Sequence, residues 1–187
     1  AIDSCVAHGG GRVVVPAGTY LCGSIRMKSH VELHLSAGAK ILAAPASMKA
    51  YDEAEQWEGP AYQDGGHTYF KNSLIYAIGQ EHVSITGRGM IDGQGLTKKD
   101  TEKGGVVNGG NIGTGDKAIA FKLCRNILIR DVTIYRGGHF AIILTGCELG
   151  TVDNVTIDTN RDGFDIDCCK YLSVSNCKIN TPRDDAL

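Results

Sequence analysis

The sequence predicts an all-β solenoid, in which the chain winds through stacked coils of short strands. Three copies of one pattern occupy its last third, beginning at Cys124, Cys147 and Cys169, which are 23 and 22 residues apart. Each copy alternates short β-branched runs with turn residues and contains no helical pattern. A period of this length built from short strands is typical of stacked β-coils, whose neighbouring turns pair as parallel strands about 4.8 Å apart.

The apolar positions of the repeat recur with the same spacing. They are Val132, Val155 and Cys177 in one column and Ile134, Ile157 and Ile179 in a second. We expect these columns to face inward and to form one continuous core. Leucine-rich repeats have a similar period, but their L-x-x-L-x-L pattern is absent. None of the seven cysteines forms a CxxC or Cys/His metal pattern, so the aligned cysteines are interpreted as packing residues.

The earlier part of the chain is predicted to belong to the same scaffold. Residues 1–7 have the pattern of the last turns of an amphipathic helix, and glycines 9–11 end it. Short strands are predicted within residues 12–15, 29–35, 40–44, 73–78, 81–87 and 89–91.

Two segments without any period, 45–70 and 97–117, are predicted to be loop excursions. The aromatic rings of the first either pack the loop down or stack on sugar rings. The second is rich in Gly, Lys and Asn, but it lacks the strand and helix that flank a phosphate-binding loop.

Composition narrows the function classes. The chain has 187 residues, 42% of them hydrophobic, and a net charge of −2, which is an ordinary globular composition. No basic block favours nucleic acid, and no apolar run approaches the ~20 residues that span a bilayer. Residues 1–187 are predicted to form part of one domain, and both ends have the pattern of interrupted elements, as expected for a fragment of a longer protein.

The candidate site consists of aspartates that the repeat brings together. Asp162 and Asp184 each lie 15 residues after the cysteine of their own copy, so they are expected on neighbouring coils, with Asp185 adjacent. Counting back 23 residues from Asp162 places His139 in the same column. Single aspartates often only cap turns. Stacked carboxylates repel one another, and a fold tolerates them where a cation intervenes or where the site is used.

Arg161 and Arg183 occupy equivalent positions beside these aspartates. Two carboxyl groups are what acetal hydrolysis requires, because a protonated one donates to the leaving oxygen while an ionised one takes a proton from water. If a water molecule must fit between them, a wider spacing and inversion of configuration follow.

Several motifs support a family resemblance. Scaffold motifs occupy residues 9–20, 31–39 and 87–95, the last of which reads GRGMIDGQG. Residues 160–165 read NRDGFD, and Asp184 and Asp185 form an aspartate pair. With these motifs the chain resembles glycoside hydrolase family 28, the polygalacturonase family of pectin-cleaving, right-handed parallel β-helices. The resemblance implies that fold, with Asp184 as the general acid and with Asp162 and Asp185 activating the water.

The chain also departs from the family pattern. Arg161 replaces the usual Thr of N-T-D-G-x-D, and Pro182 and Arg183 precede the aspartate pair where Gly is usual. The family's later G-H-G and R-I-K motifs would follow Leu187, so the fragment alone is expected to be inactive. The substrate-binding residues that the resemblance suggests are His139, Asn160, Arg161, Asp165 and Arg183.

The expected function is therefore hydrolysis of α-1,4-linked galacturonic acid in pectin, in homogalacturonan or rhamnogalacturonan regions, with inversion. The resemblance implies a secreted or periplasmic monomer that binds a pectic polysaccharide and uses no metal or other cofactor. Two alternatives remain open: a polysaccharide lyase or epimerase on the same fold, and a β-helix that binds glycans without catalysis.

Overall fold

Strands dominate the computed structural model, which describes residues 1–56, 65–96 and 115–187. One short helix, α1 (Ile2–Ala7), begins the chain as predicted, and two 3₁₀ helices span Ala46–Met48 and Gly65–His67. The strands are β1 (Gly11–Val15), β2 (Gly18–Cys22), β3 (Ile25–Arg26), β4 (Val31–Leu35), β5 (Ala39–Ala43), β6 (Ile75–Ile78), β7 (Glu81–Thr86), β8 (Met90–Asp92), β9 (Ile119–Lys122), β10 (Arg125–Arg130), β11 (Thr133–Tyr135), β12 (Phe140–Thr145), β13 (Glu148–Asp153), β14 (Thr156–Asp158), β15 (Asp162–Asp167), β16 (Lys170–Ser175) and β17 (Lys178–Asn180). None of the described helices is long and apolar enough to cross a membrane.

These strands form three sheets that run the length of the molecule. The first sheet has the order β1-β4-β7-β10-β13-β16, the second β2-β5-β8-β11-β14-β17, and the third β3-β6-β9-β12-β15. The named strands pair in parallel, so each coil contributes successive strands to the three sheets. Arg125 pairs with Glu148, and Glu148 with Lys170, which confirms the repeat offsets of 23 and 22 residues. The predicted solenoid is thus a parallel β-helix.

Isoleucine columns fill the space between the sheets. On the second sheet Ile41, Ile91, Ile134, Ile157 and Ile179 stand directly over one another. The first four of these side chains are at most 2% exposed. Branched side chains favour extended backbone and pack well on a pleated sheet, so the same residues determine the strand and the core.

The cysteine column is confirmed as part of this packing. Cys124 and Cys147 are buried, and Cys169 packs against the same core. The Cys147 backbone N–H donates to the Cys169 Sγ at 3.3 Å. All seven cysteines of the chain are free thiols.

Asn and Asp side chains build the turn between the first and the second sheet in three successive coils. Asp131, Asn154 and Asn176 all have a positive φ, between 53° and 67°. Asn and Asp enter this left-handed region more easily than other non-glycine residues. The Asn154 Nδ2 also donates to the Asp131 Oδ1 at 2.8 Å, so the turns are joined from coil to coil.

The model refines the strand and loop predictions. Residues Gly18–Cys22 form β2, a strand outside the predicted strand segments, because the first coil already contributes to all three sheets. Tyr51 and Tyr69 of the first excursion are buried, so these two rings pack the loop down. Trp57 and Tyr62 lie outside the described residues. Most of the second excursion (97–114) does too, and Lys117 at its end is fully buried.

The isoleucine column yields a stability prediction. Ile134→Ala removes a side chain that is 0% exposed at the middle of the column. We expect a loss of about 2–5 kcal/mol in the free energy of unfolding, because a cavity remains between fixed neighbours. Urea unfolding followed by circular dichroism measures it. Val14→Ala is the matched control, since Val14 is 53% exposed, and its effect should stay within about 0.5 kcal/mol.

Candidate active site

A groove of about 660 Å³ lies at the edge of the third sheet, beside β15 and the chain that follows β17. Its polar lining residues are His67, Arg161, Asp162, Asp165, Asp184 and Asp185. Five of these six were singled out from the sequence. Most of the predicted catalytic and substrate-binding residues therefore line this groove.

The three predicted catalytic aspartates meet in this groove. Asp162 begins β15, and Asp184 and Asp185 follow β17 on the next coil. Carboxylate oxygens of the three lie within 4.8 Å of one another. The Asp185 backbone N–H donates to the Asp162 Oδ1 at 3.3 Å, and the Gly163 N–H donates to the Asp185 carbonyl at 2.9 Å. Asp162 thus lies close to Asp184, but the backbone contacts link Asp162 and Gly163 to Asp185 rather than to Asp184.

Arg161 supplies the positive charge that this stack requires. Its Nη2 lies 3.2 Å from the Asp184 Oδ2 and 4.0 Å from the Asp162 Oδ2. Burial and the neighbouring charge of Asp184 nevertheless raise the pKa of Asp162, while Arg161 opposes that shift. The Asp162 side chain is 13% exposed and that of Asp184 is 37% exposed. The three acids therefore differ in environment.

The prediction that His139 stands over Asp162 is wrong. Phe140 pairs with Asp162, and the His139 side chain is fully buried, with its ring centroid 4.4 Å from that of Phe140. Residues 136–139 link β11 to β12, whereas only residues 159–161 link β14 to β15. The extra residue in the turn before β12 moves the register by one, so that Phe140 is opposite Asp162 and the His139 side chain points to the other face of the sheet.

Asn160 and Arg183 are both exposed and are not among the residues that line the groove. The model therefore brings Arg161 and Asp165 to the three acids, but not His139, Asn160 or Arg183.

Sequence reasoning missed two groove-side residues, His67 and Asp167. The His67 Nδ1 lies 2.8 Å from the Asp167 Oδ2, and its Nε2 lies 3.4 Å from the Asp165 Oδ2. Asp165 and Asp167 alternate along β15, and this period of two could have placed them on one face. No periodic signal leads to His67, because it lies in the excursion.

The environment of Asp165 differs from that of an ordinary surface carboxylate. Burial is the largest cause that raises its pKa, to about 6, and the charges of Asp167 and Asp162 act in the same direction. A protonated His67 opposes this shift.

Two groups of side chains have donor atoms close enough to hold a cation. Donor atoms lie within 4.8 Å of one another in two groups: Asp162 with Asp184 and Asp185, and His67 with Asp165 and Asp167. In the first group the Arg161 guanidinium already contacts the carboxylates, and in the second the imidazole nitrogens face both acids. Because each group holds its own basic side chain, we assign neither as a metal site.

The protein is thus a parallel β-helix with carboxylates clustered in a groove beside its third sheet. The family model for glycosyl hydrolases family 28 matches residues 5–187, and the chain belongs to this family.

Relatives similar in sequence carry the names of polygalacturonases. A polygalacturonase of Medicago sativa is 26% identical over 97% of this chain and 41% of its own length. An exopolygalacturonase of Platanus acerifolia is 23% identical over 97% of this chain and 45% of its own. The chain thus spans less than half the length of these relatives.

Solved structures support the same fold. A hyperthermoactive exopolygalacturonase from Thermotoga maritima matches with a TM-score of 0.77 and 26% identity, over 97% of this chain and 47% of the other. A putative glycosyl hydrolase from Parabacteroides merdae matches with a TM-score of 0.75 and 26% identity, over 99% of this chain and 81% of the other. The right-handed parallel β-helix predicted from the sequence is confirmed.

The raised pKa of Asp165 gives a testable pH dependence of stability. Between the ordinary aspartate pKa of about 3.8 and the folded-state pKa of about 6, the folded state retains a proton that the unfolded state has lost. The free energy of unfolding should therefore fall as the pH rises through this window, by at most about 3 kcal/mol.

Asp165→Asn should flatten this slope because it removes the titrating group. Urea unfolding between pH 4 and pH 7 measures it, with Asp158→Asn, an exposed residue of β14, as the control. Equal slopes for Asp165→Asn and the unaltered chain would contradict the assignment.

Proposed function

We propose that the protein containing this chain hydrolyses α-1,4-linked galacturonic acid in pectin, in homogalacturonan or rhamnogalacturonan regions. The observation that carries the proposal is the convergence of Asp162, Asp184 and Asp185 beside Arg161 in one open groove. Membership of family 28 and the polygalacturonase names of the relatives support the same substrate class.

In the proposed mechanism Asp184 protonates the leaving oxygen, and Asp162 and Asp185 activate the attacking water. The role of Asp184 rests on the family resemblance. In the unliganded groove burial raises the pKa of Asp162, and Asp184 is the more exposed of the two. Interacting carboxylates titrate as a unit, so the proton of the free site belongs to the pair. When substrate binds beside the exposed Asp184, this carboxyl group delivers the shared proton to the leaving oxygen.

Inversion of configuration is part of the proposal, and it also rests on the resemblance. The oxygens of the three acids lie within 4.8 Å, whereas inverting enzymes commonly separate their two carboxyl groups by about 6.5–9.5 Å. Inversion is compatible with this short spacing if the attacking water lies beside Asp162 and Asp185 and not between two carboxyl groups on opposite sides of the groove. Proton NMR of the first anomer released tests this directly.

We further propose that the protein acts outside the cytoplasm as a monomer, since its substrate is an extracellular polymer. His67 lines the same groove. A lyase or epimerase on the same fold is the second candidate. Arg161 and Arg183 keep this candidate open as possible bases, but the ion pair with Asp184 holds the Arg161 guanidinium in its protonated form, which argues against that role.

Asp184→Asn in the full-length protein tests the hydrolase. Loss of the general acid should lower kcat on polygalacturonate by about 10²–10⁴-fold, measured as new reducing ends. Asp131→Asn is the matched control: this residue lies at the turn after β10, away from the groove, and it should leave turnover unchanged. A full rate for Asp184→Asn would show that Asp184 is not the general acid, whereas no release of reducing ends by the unaltered protein would favour a β-helix that only binds glycans.

Product analysis separates the hydrolase from the lyase. A hydrolase releases saturated sugars, so we expect no ultraviolet absorbance from an unsaturated product and no loss of rate in EDTA. An absorbing product, or activity abolished by EDTA, would show that the elimination reaction is the correct one.

A further inference from the structure

The segment that carries His67 is fixed to the scaffold by contacts outside the groove. The Lys117 side chain is 0% exposed, and its Nζ donates to the Tyr69 carbonyl at 2.7 Å. The Glu55 carboxylate accepts the backbone N–H groups of Phe70, at 2.9 Å, and of Lys71, at 3.1 Å. These contacts hold the chain just after the 3₁₀ helix Gly65–His67.

Close packing fixes the 3₁₀ helix itself. A Cβ added to Gly66 would lie 2.5 Å from the His139 Cδ2 and 2.6 Å from the Phe140 Cε2. The His67 ring meets the Phe140 ring edge-on, with centroids 5.1 Å apart. The His67 imidazole is therefore held at the groove by packing on both sides.

From this position His67 contacts two acids of β15 at once. Its Nδ1 faces the Asp167 Oδ2 at 2.8 Å, and its Nε2 faces the Asp165 Oδ2 at 3.4 Å. The Thr145 Oγ1 also donates to the Asp167 Oδ2, at 3.3 Å, and Lys122 stands in the same column of the third sheet. Asp162 is a further charged neighbour whose field reaches Asp165.

These contacts give the two carboxylates different roles. Asp167 is held by His67 and Thr145, whereas Asp165 lines the open groove. Without the imidazole, the charges of Asp162 and Asp167 would act on Asp165 without the opposing charge of His67. The side chain would then take up a proton or turn away from its neighbours.

We propose that His67 is a positioning residue that keeps Asp165 ionised and directed into the groove, where this carboxylate accepts hydrogen bonds from sugar hydroxyl groups beside the cleaved bond. The inference rests on the proposed function. A carboxylate repels the substrate's own carboxylate and accepts from its hydroxyls. Asp165 therefore selects the orientation in which the hydroxyl edge of the uronate faces β15.

His67→Gln in the full-length protein is the principal test, because Gln keeps a hydrogen-bond donor and removes the charge. The matched control is His8→Gln, since His8 is exposed at the end of α1. We expect KM for polygalacturonate to rise about tenfold while kcat stays within about twofold. The acidic limb of kcat/KM should also move to higher pH, because Asp165 then retains its proton longer.

Gly66→Ala provides a second variant that leaves the imidazole in place. Its new Cβ would displace the 3₁₀ helix from His139 and Phe140, so it should reproduce the KM change of His67→Gln. Thermal unfolding of both variants shows whether the scaffold is intact. Wild-type KM and pH profile in His67→Gln would overturn the inference.

Carbon-13 NMR titration of the Asp165 carboxyl group makes the test independent of turnover. The midpoint should be higher in His67→Gln than in the unaltered protein and in His8→Gln. An unchanged midpoint overturns the inference whatever the activity. A shifted midpoint in a protein that does not cleave galacturonan leaves the positioning role standing and shows that the proposed function is wrong.

Discussion

Parallel pairing between successive coils is the constraint on which the rest of the molecule depends. Neighbouring strands lie about 4.8 Å apart, and their backbone hydrogen bonds allow steps of whole residues only. The isoleucine column, the asparagine turns and the close approach of Asp162 to Asp184 and Asp185 all follow from one alignment of coils. The groove needs no separate folding element, because the alignment that builds the core also brings its acids together.

The same alignment has an electrostatic cost that the chain offsets locally. Stacking places Asp162 beside Asp184, and the strand period places Asp165 on the same face as Asp167. Each pair is approached by one basic side chain, Arg161 in the first case and His67 in the second. Arg161 comes from the repeat itself, whereas His67 comes from an excursion. The Arg161 guanidinium is always charged, whereas a histidine such as His67 is charged only when it is protonated.

This division explains how much the sequence alone could predict. The repeat predicted the solenoid, the core columns and the meeting of Asp162 with Asp184, because each depends on counting within coils. The position of His139 could not be counted correctly, since the turn before β12 is one residue longer than the turn before β15. The position of His67 is determined by a contact with Asp167, which lies 100 residues away in the sequence. No periodic pattern reports such a contact.

Buried residues below the groove hold the segment that carries His67 in place. Burying a charge is costly, and a buried ion pair by itself adds little stability. Lys117 nevertheless bridges the Asp116 carboxylate and the Tyr69 carbonyl, while the His139 N–H donates to the Asp116 carbonyl at 2.7 Å. What this arrangement secures is position, because it joins the excursion to the coil directly beneath β12. The buried His139 thus acts on the groove from behind, through Gly66 and the segment that carries His67.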